Sequence, residues 1–184
     1  KSPKLRGNIG EQILKELLGQ MLPKQSFQLQ YAFKSGAIVD AAIKTSNGIL
    51  PIDSKFPMEN FRKLISALDD TERKSVSHEF AQDVKKHIDD ISRKYILTEE
   101  GTIDYALMYI PSEAIYYEVV NNPQLFDYAG EKRVLPVSPM TFYAFMKAIL
   151  MSFEGQKIEQ QAKQILQTIR AVQKDYVKVE DNLG

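Results

Sequence analysis

The feature that most constrains the fold is a pair of apolar, β-branched runs joined by a tight turn. The runs occupy residues 37–44 and 49–54, and Ser46-Asn47-Gly48 lies between them. An Asn-Gly pair between two such runs is a strong signal for a β-hairpin. We therefore expect two adjacent antiparallel strands here.

Each of these two strands carries an acidic residue inside its apolar run. Twelve residues separate Asp40 from Asp53, and Asp53 begins the sequence Asp53-Ser54-Lys55. Because side chains alternate along a strand, Asp53 and Lys55 are expected on one face and Ser54 on the other. The hairpin is expected to bring Asp40 near Asp53.

Hydrophobic periodicity predicts an α/β domain, in which a mixed central sheet is flanked by helices and followed by a long C-terminal helical region. Strands are predicted at residues 27–33, 37–44, 49–54, 105–110 and 133–137. Helices are predicted at residues 4–21, 57–68 and 112–121, and from residue 138 onward with a break near Gly155. A further long helix is predicted after Asp69-Asp70-Thr71, with an apolar stripe of Val76, Phe80, Val84, Ile88, Ile91 and Tyr95.

The last helix has a seam of apolar residues that alternate in steps of four and three. The seam consists of Ile158, Ala162, Ile165, Ile169, Val172, Tyr176 and Val179. A coiled coil and a long helix packed on its own domain both produce this pattern. We predict a core domain at residues 1–152 and a C-terminal helix, a possible coiled coil, at residues 153–184.

Composition limits the class of protein. With 43% hydrophobic and 26% charged residues among 184, the chain resembles a soluble globular protein. It has no cysteine, which excludes disulfides and thiolate metal sites. Lys plus Arg equals Asp plus Glu at 24 each. This balance argues against a large basic DNA-binding surface but allows a local basic cleft.

The first residue and the lack of long apolar runs bear on the parent protein and on its location in the cell. It begins at Lys1 rather than Met, so we expect it to be a piece of a longer protein. No apolar run approaches the ~20 residues that span a bilayer. We expect a cytoplasmic location, with membrane contact only through regions outside this chain.

The two aspartates suggest a metal site. Neighbouring carboxylates raise each other's pKa unless a cation joins them, and hard oxygen ligands suit Mg²⁺ or Mn²⁺. Such an ion could activate water against a phosphodiester, while Lys55 offsets the charge of the transition state. Alternatively, Asp53 belongs to an ordinary strand-exit turn. Glu11, at the edge of the first helix's apolar arc, is a further ligand or an ordinary solvated Glu near a helix N-terminus.

Other polar residues have two interpretations each. His87 flanks the apolar stripe of the long helix. It could act on a substrate, by contacting phosphate or assisting proton transfer, or it could be a hydrogen-bonded boundary residue. Lys85, Lys86, Arg93 and Lys94 could bind a DNA backbone, or could form ion pairs with the aspartates between them. Glu113 could cap the helix that begins next to Ser112, or reach the active face.

Several short segments occur in order along nearly the whole chain: Arg6-Gly7-Asn8-Ile9-Gly10-Glu11, Val39-Asp40, Ile52-Asp53-Ser54-Lys55-Phe56-Pro57, Lys86-His87-Ile88, Lys94-Tyr95, Met108-Tyr109-Ile110-Pro111-Ser112-Glu113-Ala114 and Val137-Ser138-Pro139. Together they resemble the RmuC family of bacterial DNA recombination proteins. The resemblance implies a restriction-endonuclease-like core of the PD-(D/E)xK type. Its acid and lysine positions fall on Glu11, Asp40, Asp53 and Lys55, with Val39 in place of the Pro in the motif's name.

The sequence and the resemblance together predict a metal-dependent deoxyribonuclease that acts in DNA recombination and limits DNA rearrangement. Glu11, Asp40, Asp53 and Lys55 are the expected catalytic residues, and the first three are the expected ligands of Mg²⁺ or Mn²⁺. The expected DNA contacts are Arg6, Lys86, His87 and Lys94. DNA and further copies of the chain, joined through helical segments, are the expected partners, with no small-molecule cofactor. The alternative is a catalytically silent DNA-binding or scaffolding module assembled through coiled coils.

Overall fold

The computed structural model of the protein describes residues 4–183, and the side-chain environments of residues 9–171. It divides into two compact units, Lys1–Ala144 and Phe145–Gly184. The first unit holds the sheet and every residue discussed below as part of the site. The domain boundary at residue 152 stays a prediction.

A five-stranded mixed sheet forms the centre of the first unit. Its strands, in their order across the sheet, are β1 (Phe27–Ala32), β2 (Ile38–Thr45), β3 (Gly48–Asp53), β4 (Ala106–Tyr109) and β5 (Val134–Val137). The first three strands pair antiparallel, whereas β4 runs parallel to both β3 and β5. The predicted mixed α/β architecture is confirmed, and its restriction-endonuclease-like identity stays a prediction.

Six α-helices accompany the sheet in the described part of the chain. They are α1 (Lys4–Met21), α2 (Glu59–Ser66), α3 (Asp70–Tyr95), α4 (Glu113–Val120), α5 (Pro123–Glu131) and α6 (Pro139–Leu183). Helix α5 was not predicted, although Asn122 caps its first turn and Pro123 occupies its first position. Its short length leaves too few apolar repeats to reveal a period.

The break predicted near Gly155 is wrong, because α6 runs through that residue without interruption. A single glycine inside a helix costs about 1 kcal/mol relative to alanine, which the hydrogen-bonded turns on both sides can offset. Within the described residues, no helix combines the length and the apolar character needed to cross a membrane.

Helices α2 to α5 pack with strands β4 and β5 in the main hydrophobic core. The stripe predicted for α3 is buried there: Val76, Phe80, Val84, Ile88 and Ile91. This core fixes α3 against the sheet. The position of α3 matters for function because its last turns carry His87 and Tyr95 towards the end of β3.

The hairpin predicted between β2 and β3 is present. Glycine is required at position 48, the first residue of β3, on two grounds. Gly48 has a φ of 132°, and a Cβ placed on it would lie 2.7 Å from the carbonyl oxygen of Gly101. Next to it, the Ile49 amide donates to that same oxygen at 2.9 Å. The close approach joins the hairpin to the loop that precedes β4.

Replacing Gly48 with alanine should therefore destabilise the fold by about 3 kcal/mol, from backbone strain together with the steric clash. Gly36 is the matched control, since its φ is 87° but a Cβ placed on it would have no atom within 4 Å. Gly36→Ala should cost only the conformational term, about 1 kcal/mol. Urea unfolding of both variants measures the difference, and equal losses would contradict the steric argument.

Candidate active site

Asp40 and Asp53 lie on neighbouring strands at the same level of the sheet. Strands β2 and β3 pair Ala41 with Ile52, and one further step in this register places Asp40 opposite Asp53. Both side chains are buried, with 1% and 5% of their surface exposed. The expected proximity of the two carboxylates is present in the structure.

Asp40 is held by the segment that leaves β3. Its Oδ2 accepts hydrogen bonds from the amide and the hydroxyl of Ser54, each at 2.9 Å. Its Oδ1 receives the ammonium group of Lys55. The expectation that Ser54 points away from the acidic face is wrong, because β3 ends at Asp53 and strand alternation does not extend past that residue.

Asp53 is less well neutralised. The Lys55 amide donates to its Oδ1 at 3.0 Å, and the Tyr95 hydroxyl lies within hydrogen-bonding range. Burial, followed by the repulsion of Asp40, raises the pKa of Asp53 to about 6. The site therefore has one carboxylate paired with a cation and a second whose negative charge is poorly compensated.

His87 approaches Asp53 from α3, with its Nε2 at 3.5 Å from the Asp53 Oδ1. This is too long for a hydrogen bond, and within the described residues the buried Nε2 has no hydrogen-bond partner. Burial lowers the pKa of His87 to about 4. The imidazole is therefore neutral at pH 7, and the two side chains do not form an ion pair.

Lys55 connects the acidic residues on the solvent side, where its side chain is about half exposed. Partial burial disfavours its charge, but its hydrogen bond to Asp40 and the charges of Asp40, Asp53 and Glu11 outweigh that effect and raise its pKa. The ammonium group is thus fixed as a cation beside the two aspartates, where a substrate's negative charge could meet it.

Glu11 lies near this cluster without joining the aspartate pair. Its Oε1 accepts a hydrogen bond from Gln30 of β1 at 2.5 Å. Helix α1 comes close to the sheet at the preceding residue, where a Cβ on Gly10 would lie 3.0 Å from the carbonyl oxygen of Ser54. Over the residues that the structure describes, no three His, Cys, Asp or Glu side chains form a ready-made metal-binding group.

The donor chemistry of the aspartate pair nevertheless fits a magnesium ion. Mg²⁺ is usually held by one or two protein carboxylates, with water and substrate phosphate as the other ligands. Asp40 and Asp53 supply two hard oxygen donors at one level of the sheet. Burial, followed by the charge of Asp40, raises the pKa of Asp53, and a bound divalent cation would favour the ionised carboxylate against both effects.

A cavity of about 610 Å³ opens beside Asp53. Its lining includes the basic and aromatic residues Lys55, Phe56, Lys86, His87, Lys94 and Tyr95, together with the acidic residues Glu59, Asp83 and Asp90. Three of the four predicted DNA contacts, Lys86, His87 and Lys94, thus border one cavity. The side chain of the fourth, Arg6, lies outside the described residues.

The charges of α3 are partly paired with one another. Arg93 and Lys94 approach Asp90 at 2.7 and 3.6 Å, and the Lys85 ammonium lies 5.3 Å from the centre of the Tyr128 ring. Lys85 and Arg93 therefore have structural contacts of their own. Lys86 and Lys94 are the basic residues of this helix that reach the cavity.

Glu113 takes neither of its expected positions. Ser112 caps α4 by accepting from the Ile115 amide at 3.4 Å, whereas the Glu113 Oε1 accepts from the Met140 amide at 2.8 Å. Glu113 therefore stabilises the first turn of α6, where backbone amides lack partners within their own helix.

Sequence reasoning missed three residues with contacts in the site: Gln30, Ser54 and Tyr95. Tyr95 was assigned only to the apolar stripe of α3, yet its hydroxyl reaches Asp53. A hydroxyl at the end of an apolar stripe is a usable signal, since a buried Tyr oxygen normally finds a partner. The conformation of Gln30 and the turn at Ser54 leave no comparable mark in the sequence.

The pKa values of Asp53 and His87 predict opposing effects of pH on stability. The folded state holds the Asp53 proton more tightly than the unfolded chain, so this residue lowers stability as pH rises from 3.8 through about 6. His87 binds its proton less tightly when folded, so it increases stability as pH rises from about 4 through 6.5. Each effect amounts to about 2–3 kcal/mol.

Urea unfolding between pH 4 and 7 should separate the two effects. Relative to the unmodified chain, Asp53→Asn should gain about 2–3 kcal/mol in stability as pH rises across this range, because the opposing carboxylate is gone. His87→Gln should lose a similar amount over the same range. Curves that run parallel to that of the unmodified chain would show that the two groups titrate normally.

The family model and the similar proteins point to the same family. The model of the RmuC family matches residues 1–184. A "DNA recombination protein RmuC homolog" of Xylella fastidiosa (strain Temecula1) is 28% identical over 188 residues, covering 95% of this chain and 41% of the relative. Proteins with the same name are 28% identical in Zymomonas mobilis (89% of this chain, 38% of the relative) and 32% identical in Pasteurella multocida (65% and 24%).

These relatives are longer than the chain, which spans about two fifths of the length of the Xylella protein. No solved structure matches the chain. The family match extends over all 184 residues of the sequence, and the chain therefore belongs to the RmuC family.

Proposed function

We propose that this domain hydrolyses DNA phosphodiesters with the help of a divalent metal ion, Mg²⁺ or Mn²⁺, held by Asp40 and Asp53. The observation that carries the proposal is the pair of buried carboxylates on adjacent strands with the Lys55 ammonium beside them. Burying two carboxylates side by side costs folding free energy unless a cation binds them or pairs with them. DNA is proposed as the substrate because the relatives are named DNA recombination proteins.

Each residue has a distinct part in this scheme. Asp40 and Asp53 provide the oxygen donors, and the Tyr95 hydroxyl favours the ionised form of Asp53. When bound, the metal ion would polarise the phosphodiester and lower the pKa of the attacking water. Lys55, fixed as a cation, would stabilise charge that develops on the phosphate oxygens. Glu11 would complete the ligand set of the metal ion or help to orient water.

The cavity beside Asp53 is the proposed path of the DNA strand. Lys86 and Lys94 on its border would contact phosphate oxygens, which position a strand without reading its sequence. The orphaned Nε2 of neutral His87 would find a hydrogen-bond partner in a substrate oxygen. The acidic residues Glu59, Asp83 and Asp90 in the same lining limit the basic surface, in agreement with the balanced charge of the chain.

The order of elements supports placing the site in the PD-(D/E)xK class. A helix with Glu11 precedes an antiparallel β1–β2–β3 unit, and that unit carries Asp40, Asp53 and Lys55. We propose this classification, and with it a restriction-endonuclease-like core, on the arrangement of these residues.

A second candidate function is a DNA-binding or scaffolding module without catalysis. The observation in its favour is that the Lys55 ammonium pairs with Asp40. The charge of the Asp40 carboxylate is thereby neutralised without a metal ion. In this case the lysines around the cavity would bind DNA in a salt-sensitive manner, and the aspartates would be structural.

Self-association is proposed through α6. Of the predicted seam, the described side chains Ile158, Ala162, Ile165 and Ile169 are exposed, and the side chains of Val172, Tyr176 and Val179 lie outside the described residues. An exposed apolar seam with four-three spacing is suited to pairing with the same helix of a second copy.

The catalytic proposal is tested by cleavage of labelled linear, single-stranded and branched DNA in Mg²⁺ or Mn²⁺. Asp53→Ala and Lys55→Ala should each lower the rate by about 100-fold or more while DNA binding persists. Matched controls remove an exposed carboxylate or ammonium away from the cavity: Asp127→Ala and Lys44→Ala. Both controls should cleave at the unmodified rate.

The alternative function predicts a different set of results. If the unmodified chain cleaves none of the DNA forms but binds them with an affinity that falls steeply with salt, the binding module is supported. Equal cleavage by the unmodified chain, Asp53→Ala and Lys55→Ala would exclude the proposed site as its source.

A further inference from the structure

Gln30 has an unusual backbone conformation for a residue inside a strand. Its φ is 49°, in the left-handed region, and in the described residues only Arg133 shares a positive φ without being glycine. The neighbouring pairs, Leu29 with Ala41 and Tyr31 with Val39, keep the same register. No inserted residue therefore accounts for the conformation, and the register places Gln30 opposite Asp40.

A side chain larger than that of glycine is disfavoured at such a φ. Conformations of this kind persist where other contacts compensate for them, and they concentrate at functional sites. Gln30 is exposed, so burial of its side chain does not impose the conformation. The contact that distinguishes it is the hydrogen bond from its Nε2 to the Oε1 of Glu11.

This hydrogen bond joins β1 to α1 beside the acidic cluster. Gly10 brings α1 close to the backbone of Ser54, and Ser54 in turn holds Asp40. The Glu11 carboxylate is close enough for its charge to contribute to the raised pKa of Lys55. Gln30 is thus the residue of β1 that fixes a carboxylate next to the cluster.

We propose that Gln30 is a positioning residue of the candidate active site, holding Glu11 by one carboxylate oxygen so that the other serves a divalent ion beside Asp40. The inference rests on the proposed metal-dependent function. Residues that orient a metal ligand or a water-binding carboxylate commonly change metal affinity when they are removed.

The amide suits this task because it is uncharged. A lysine at position 30 would neutralise Glu11 and compete with a metal ion for it, in the way that Lys55 already pairs with Asp40. A glutamine donates one hydrogen bond and leaves the full negative charge on the carboxylate. The strained backbone at Gln30 is then retained for function rather than for stability.

The test compares Gln30→Gly with Gln28→Gly and with the unmodified chain. Glycine tolerates the left-handed φ but cannot contact Glu11. Gln28 is the matched control, since it is an exposed glutamine of the same strand paired with Ala42. The melting temperature is measured without metal, and its rise is then followed as Mn²⁺ is titrated, which reports binding independently of catalysis.

For Gln30→Gly we expect a melting temperature without metal that equals or exceeds that of the unmodified chain, together with a need for about 10-fold more Mn²⁺ to reach half of the stabilisation. Gln28→Gly should melt at a lower temperature, because glycine weakens a strand, with an unchanged Mn²⁺ midpoint.

The possible failures are distinguishable. If the unmodified chain is stabilised by Mn²⁺ and Gln30→Gly has the same midpoint, Gln30 is not a positioning residue and the proposed function stands. If Mn²⁺ does not stabilise the unmodified chain, the metal site itself is refuted and the role of Gln30 is refuted with it.

Discussion

The Asp40 carboxylate organises the part of the fold in which the candidate site lies. It is buried within the sheet, and it is satisfied by Ser54 and Lys55 from the segment that leaves the neighbouring strand. A buried carboxylate without such partners would cost several kcal/mol. These contacts set the direction in which the chain leaves β3, and that direction carries Lys55 across to Asp40 and leaves Asp53 with only partial compensation. The electrostatic character of the whole site follows from this one arrangement.

The parts of the fold that could be predicted from the sequence are those governed by local chemistry. Asn47-Gly48 specified the hairpin, and four- and three-residue spacing specified the stripe of α3, because a turn and an amphipathic helix leave direct patterns in the sequence. Helix α5 was not predicted, and the break in α6 near Gly155 was predicted incorrectly. In both cases the local preference was weak, and the neighbouring turns of helix decided the outcome.

The candidate site was predictable to the same extent. A hairpin makes its two strands neighbours, so the proximity of Asp40 and Asp53 could be deduced. Their register could not be deduced, because the turn residues are Ser46 and Asn47, and Gly48 already pairs with Thr45 as the first residue of β3. The contacts of Tyr95 and Gln30 depend instead on where α3 and α1 lie against the sheet, and on one backbone angle in β1. Sequence periodicity says which face of a helix is buried, but not which residue of another element it will meet.

The contact between Gly48 and the carbonyl of Gly101 has a consequence for the order of folding. The β2–β3 hairpin is local and can close within microseconds, whereas β4 joins it across more than fifty residues, a pairing that pays a large loop-closure entropy. We therefore expect the acidic pair to belong to the early, local part of the fold. We expect His87 and Tyr95 to reach it only when α3 docks and the Gly101 loop closes on the hairpin, so that the cavity is assembled last, around carboxylates that are already neighbours.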